Sequence, residues 1–146
     1  MKVLLQRVSQ ASVQVEGSEV SSILKGFLLL IGIEKNDTEE MADYLAKKIA
    51  HLRIFEDENG KMNLSILDVG GQILAVSQFT LAGDTSRGNR PGFETAAKPQ
   101  EAKPLYEYFV QALKIYNIDV RCGIFQADMQ VSLINDGPVT FMLERK

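Results

Sequence analysis

The longest apolar run in the chain, Phe27 to Ile33, is strand-sized and apolar on both faces, so it predicts a central strand. Lys2 to Val8 and Ala11 to Val15 read as strands too. Gly17-Ser18 then punctuates the pattern and predicts a hairpin over residues 11–25. After residue 37 the period changes. Met41, Leu45, Ile49 and Leu52 recur at helical spacing. Asp37-Thr38-Glu39-Glu40 has the spacing of a capping box, and Lys47 and Lys48 suit the negative end of a helix dipole. The spacing predicts a helix from about residue 38 to 50.

Arg53 to Phe55 and Met62 to Ile66 flank Asn59-Gly60, a hairpin signal because both turn positions favour positive φ. Asp68-Val69-Gly70-Gly71 reads as a further turn, and Gln72 to Phe79 as a strand. Residues 83–104, rich in Gly, Pro and charge, predict a long loop, and loops of that length are usually functional or mobile. Leu105, Phe109, Ala112, Leu113 and Tyr116 line one helical face, with Pro104 placed in its first turn. Ile118 to Arg121, Met129 to Ile134 and Val139 to Leu143 finish the chain as strands. Strands with two inserted helices and no repeat or linker make one α+β domain over residues 1–146.

Composition narrows the class. At 45% hydrophobic and 24% charged residues the chain is globular, not disordered. No apolar run approaches the roughly 20 residues of a membrane helix, and no leader pattern is visible. Cys122 stands alone, so no internal disulfide framework exists. These features suit the cytoplasm, with no membrane partner. A net charge of −3 and a pI of about 5.2 argue against coating nucleic acid through bulk electrostatics. Local basic groups do occur: Arg87, Arg90, Lys98 and Lys103 in one stretch, Lys47, Lys48 and Arg53 in another. Solvated surface charge explains most of them.

Conventional catalytic groups are scarce. His51 is the only histidine and follows the helical run. No nucleophile elbow marks a serine, and no His or Cys cluster has metal-ligand spacing, so neither metal nor cofactor is expected. Asp57-Glu58-Asn59-Gly60 opens like a calcium loop but lacks the later acidic ligand. Cys122 reads as a small buried hydrophobe. Thr80 is a possible nucleophile, or simply a hydrogen-bonding residue at a strand end.

Two motifs add more. Asn135-Asp136-Gly137-Pro138-Val139-Thr140 places a Gly-Pro pair between apolar segments. X-Pro is the bond at which cis costs only about 0.5–1 kcal/mol, and a cis bond would set two carbonyls side by side, fit to grip an ammonium group. An ordinary turn is the alternative. Ser77-Gln78-Phe79-Thr80-Leu81 ends the apolar run from Ile73, and Arg87-Gly88-Asn89-Arg90-Pro91-Gly92-Phe93 follows shortly after.

SQFTL and NDGPVT, in a chain of this length, closely resemble bacterial D-aminoacyl-tRNA deacylases. Met1 to Val15, with Arg7 and Ala11-Ser12-Val13, and Gly123 to Met129 are similar to that family as well, so the resemblance spans the chain. The surroundings of Cys122 and Gln126 depart mildly from the family pattern.

The resemblance implies a barrel-like mixed or antiparallel sheet with two main helices packed outside, in a homodimer. It implies hydrolysis of the ester of D-aminoacyl-tRNA, with Ser77, Gln78, Phe79 and Thr80 around the ester and the tRNA 2′-hydroxyl taking part. Backbone N–H groups near Gln78 and Phe79 are candidates for stabilising the oxyanion. Gly137 and Pro138, joined in cis, would reach into the partner's site and reject L-aminoacyl groups, leaving D-aminoacyl and glycyl esters open. Arg7 would orient their carbonyls, with an exposed strand charge as the alternative, and Phe125 would stack on the terminal adenine, with a core aromatic as the alternative. The tRNA 3′ end is then the nucleic-acid partner, and DNA is not. A non-catalytic module that grips the same RNA end, and a general ester hydrolase using Thr80, are the competing readings.

Overall fold

The computed structural model describes residues 1–146. A single long strand organises it: β1 runs from Lys2 to Val15 and pairs with three others. On one edge its first half meets β3 (Gly26–Gly32) and its second half meets β2 (Ser18–Ile23). Along the other edge lies β8 (Gln130–Glu144), nearly its full length. The strands expected over 2–8 and 11–15 are therefore one element, as are those over 129–134 and 139–143. In each case a register shift, not a break, interrupts the alternation.

Beyond β3 the sheet continues in parallel through β6 (Gln72–Ser77) and β7 (Asp119–Cys122). β7 then curves back toward β2. There side chains bridge the two edges: Ser21 Oγ donates to the Cys122 carbonyl at 2.7 Å, and Arg121 Nη1 donates to the Ser22 carbonyl at 2.8 Å. The sheet is thus a nearly closed barrel whose last seam is stitched by side chains rather than by a backbone ladder. A minor hairpin, β4 (Phe55–Glu56) with β5 (Met62–Leu64), lies apart.

Alternation along the strands makes two cores. Val8, Val13, Leu28, Leu74 and Val76 fill the barrel interior. Val3, Leu5, Phe27, Leu29, Ile31 and Ile73 face outward, and the helices cover them. That is why β3 is apolar throughout: both of its faces are buried.

The helix α1 spans Glu39–His51, close to expectation, but its cap differs. Thr38 Oγ1 is the cap acceptor for the Met41 amide, while the Asp37 carboxylate turns back to the Glu34 amide at 2.7 Å. A short α2 (Ile66–Val69) replaces part of the expected strand and turn; Ser65 and Asp68 form a reciprocal capping box there. The third helix, α3, starts at Pro99 and ends at Lys114. It begins five residues before Pro104, which lies inside the helix rather than in the first turn. Pro99 supplies the N1 signal, so the long loop covers only residues 83–98. Two longer helices and one short turn therefore cover the barrel.

Candidate active site

β6 leaves the core at Ser77, and the chain turns into a 3-10 segment, Phe79–Ala82. Gln78 marks the corner. Its amide donates to the Ile31 carbonyl at 2.7 Å, which extends the β3–β6 pairing by one bond. The Gln78 N–H is thus committed and cannot serve as an oxyanion donor. The next amides, Phe79 and Thr80, open the 3-10 turn and have no acceptor within the chain. Gln78 Nε2 also donates to Thr80 Oγ1.

Beside this corner lies a cleft of about 500 Å³. Ser77, Gln78 and Phe79 form one wall, Phe125 and Gln126 another, and Pro99 at the start of α3 a third. Most lining side chains are apolar. Thr80, next along the chain, is exposed and does not line the cleft. Phe79 is exposed as well, its ring 5.2 Å from that of Phe93.

Phe125 is half-buried and packs on Tyr106 of α3, ring centroids 5.8 Å apart. Tyr106 is held in turn: its hydroxyl donates to the Ala75 carbonyl on β6 at 2.9 Å. Burial, with Cys122 and Glu107 beside it, pushes the Tyr106 phenol well above its ordinary pKa. It stays a neutral donor. Sequence reading misses both Pro99 and Tyr106 as site residues, since the segment around them reads as loop and generic helix face.

Gly137-Pro138 lies elsewhere on the chain. Between the pairs Val8–Asn135 and Gln6–Thr140, β8 carries extra residues that bulge away from β1. Asp136, Gly137 and Pro138 are exposed at the tip, and Val139 is its buried root. The Gly137-Pro138 bond is cis. The flanking motif residues close the tip: Asn135 Oδ1 accepts from the Val139 amide at 3.0 Å, and Asn135 Nδ2 donates to Thr140 Oγ1 at 2.8 Å. Gly137 has φ +133°, and a Cβ there would fall 2.7 Å from Val139 Cγ2 and 3.0 Å from Arg7 Nη2. Only glycine fits without displacement.

Arg7 is buried beneath the tip, 5% exposed, on the β1 face that meets the helices. Its Nε donates to the Asp136 carbonyl at 3.0 Å and its Nη1 to the Ile54 carbonyl at 2.7 Å. The carbonyl it grips is that of Asp136, one residue ahead of the Gly-Pro pair. Arg7 therefore sets the root of the tip, and neither Gly137 nor Pro138 lines the cleft of the same chain.

The other polar candidates stand apart from the cleft. His51 ends α1, its Nδ1 2.8 Å from the Lys47 carbonyl and its ring edge-on to Tyr116. Cys122 is half-buried at the end of β7. The Asp57 carboxylate accepts from the Asn59 and Lys61 amides and from Asn63 Nδ2, as a turn-closing group does. No three His, Cys, Asp or Glu side chains converge on one point.

Comparison with known proteins matches residues 4–144 to the family described as D-Tyr-tRNA(Tyr) deacylase. A protein of Geotalea uraniireducens named D-aminoacyl-tRNA deacylase is 60% identical over 144 residues, covering 99% of this chain and 93% of that protein. A protein of the same name from Geobacter sulfurreducens is 58% identical, covering 100% of this chain and 96% of its own length. Among solved structures, one titled c-Myc DNA Unwinding Element Binding Protein is 41% identical, with TM-score 0.94 over 100% of this chain and 99% of that one. A second, titled as a probable eukaryotic D-amino acid tRNA deacylase, shares the fold at TM-score 0.83 and 18% identity, covering 97% of each chain.

Proposed function

The chain belongs to the D-Tyr-tRNA(Tyr) deacylase family, and on that basis we propose that it hydrolyses the ester joining a D-amino acid to the terminal ribose of tRNA. The carrying observation is the cleft itself: Ser77, Gln78 and Phe79 on one side, Phe125 on the other, and no acid–base pair within it. A site so poor in catalytic side chains suits a substrate that brings its own reactive group.

In this reading the terminal adenine stacks on Phe125, a contact worth roughly 1–3 kcal/mol per base. Tyr106 stiffens that platform from behind. The ester then lies against the Phe79 and Thr80 amides, whose N–H groups are free to stabilise the developing oxyanion. The ribose 2′-hydroxyl beside the ester supplies the assisting group. Orientation of a reactive ester can lower the barrier by several kcal/mol. Ser77 and Gln78 shape the pocket wall, and Thr80 helps to orient the ester.

Chirality is read by exclusion. The tip of a second copy would enter the cleft mouth, because the tip lies outside its own chain's cleft. Ile134, Phe141 and Met142, exposed on β8 on both sides of the tip, provide apolar surface for that second copy to cover. The Gly137 and Pro138 carbonyls hold the substrate ammonium, and an L side chain meets backbone while a D side chain points outward. Each 1.36 kcal/mol of such exclusion is about tenfold in rate. The filter works by rejection. Glycine has no side chain to reject, so glycyl-tRNA is also hydrolysed.

Matched D-tyrosyl-, L-tyrosyl- and glycyl-tRNA decide the matter. Release of D-tyrosine and glycine, with L-tyrosyl-tRNA intact, is the expected result. Binding of all three without release would support the non-catalytic module instead.

A further inference from the structure

Residues 83–98 form a finger rather than a slack loop. Asp84 and Gly92 pair across its base, amide to carbonyl in both directions, at 2.7 and 2.9 Å. The Asp84 carboxylate accepts from the Ser86 amide at 2.9 Å, and Gly88, at φ +65°, turns the tip. The returning limb is fastened to the cleft. Phe93 packs on Phe79, Thr95 Oγ1 donates to the Ala82 carbonyl at 3.1 Å, and Ala97, bonded to Ile33, lines the cavity. The finger therefore rises from the cleft mouth with a fixed base.

Its tip carries Arg87 and Arg90. From Thr85 to Phe93 these are the only charged residues, a local +2 on a chain of net −3. Both are exposed. Every other arginine is engaged. Arg7 bonds Asp136 and Ile54, Arg53 bonds the Asn63 carbonyl, Arg121 pairs with Asp119, and Arg145 lies over the Tyr44 ring at 4.3 Å. Arg87 and Arg90 take part in no ion pair and no side-chain hydrogen bond. Unpaired guanidinium groups on a braced turn are suited to bidentate contact with phosphate.

We propose that Arg87 and Arg90 form a phosphate-binding finger that grips the RNA backbone next to the nucleotide held in the cleft. This rests on the deacylase reading and adds to it a contact outside the ester pocket. It also accounts for how an acidic chain holds RNA: two exposed, unpaired arginines replace a basic face, so few phosphates are neutralised.

The test compares D-tyrosyl-tRNA with D-tyrosyl-adenosine, which carries the ester and the base but no phosphate. For Arg87→Ala/Arg90→Ala, KM for D-tyrosyl-tRNA should rise roughly 3- to 10-fold, the scale of two exposed charge contacts, with kcat unchanged. The slope of log KM against log salt should flatten by roughly 0.7–0.9 for each phosphate no longer neutralised. Hydrolysis of D-tyrosyl-adenosine should not change. The charge-preserving double variant Arg87→Lys/Arg90→Lys should recover part of the salt slope. Unaltered KM and slope with tRNA, or equal losses on both substrates, would overturn the proposal. So would a change in the oligomeric mass of the alanine variant, which would assign these arginines to a subunit contact. If the wild-type protein hydrolyses neither substrate, the deacylase reading fails instead, and the two failures are distinct.

Discussion

Arg7 on β1 and Asp136 at the root of the Gly-Pro tip are joined by a 3.0 Å hydrogen bond from guanidinium to carbonyl, across 129 residues of sequence. The same side chain reaches the Ile54 carbonyl at 2.7 Å. One buried cation thus ties the tip to the loop after α1. The nearby Asp136 carboxylate, 3.7 Å away and 57% exposed, adds little, because solvent screens it.

Replacing Arg7 by Ala removes two charge-assisted bonds and leaves the Ile54 carbonyl unpaired. A loss of about 2–4 kcal/mol in stability is expected, read from denaturant midpoints. Arg7→Lys keeps the charge but not the fork. It should retain most of the stability while kcat/KM for D-tyrosyl-tRNA falls, since a single ammonium cannot hold both carbonyls.

Gly137→Ala tests the tip. The added methyl meets Val139 Cγ2 at 2.7 Å on backbone at φ +133°. The chain must shift, at a cost of about 1–3 kcal/mol. Because the tip carries the proposed filter, the variant should lose discrimination or D-activity while circular dichroism still reports the same fold. Unaltered D/L ratios would detach the tip from selectivity.

Thr80 and the 2′-hydroxyl are separable. Thr80→Ala should lower kcat by less than about tenfold, whereas loss of a true nucleophile costs roughly 10⁴-fold or more. A tRNA ending in 2′-deoxyadenosine should resist hydrolysis by the wild type. The opposite pair of outcomes would make Thr80 the nucleophile and the protein a general ester hydrolase.

Acid should weaken the fold through identifiable carboxylates. The Ser65 amide holds Asp68 below its ordinary value of 3.8, and Gln72 and then Arg121 hold Asp119 below it. A carboxyl depressed in the folded state contributes stability that is complete above 3.8 and disappears as pH falls through the lower folded value. Melting temperature should therefore be flat near neutrality and fall below about pH 4. Asp68→Asn should lower the neutral plateau and shrink the acid-dependent drop.

Much of this architecture is legible residue by residue. The double-faced burial of Phe27–Ile33, the helical spacing of Met41 to Leu52 and the hairpin at Asn59-Gly60 are local patterns, set by which side chains leave water. The motif residues stand out for the same reason: Gly-Pro and SQFT interrupt regular alternation. Where local signals compete, reading fails. Ser65 and Asp68 form a capping box inside what reads as strand and turn, and Pro99 opens α3 inside what reads as loop.

Contacts made across the fold leave no such trace. Nothing near Arg7 in sequence points to Asp136 or Ile54, and nothing near Phe125 points to Tyr106. These pairs exist because β1 runs unbroken past three partners and the barrel curls until β7 reaches β2. Periodicity records whether a side chain is buried; it does not record which distant side chain it meets there, since that depends on how the whole sheet bends and closes.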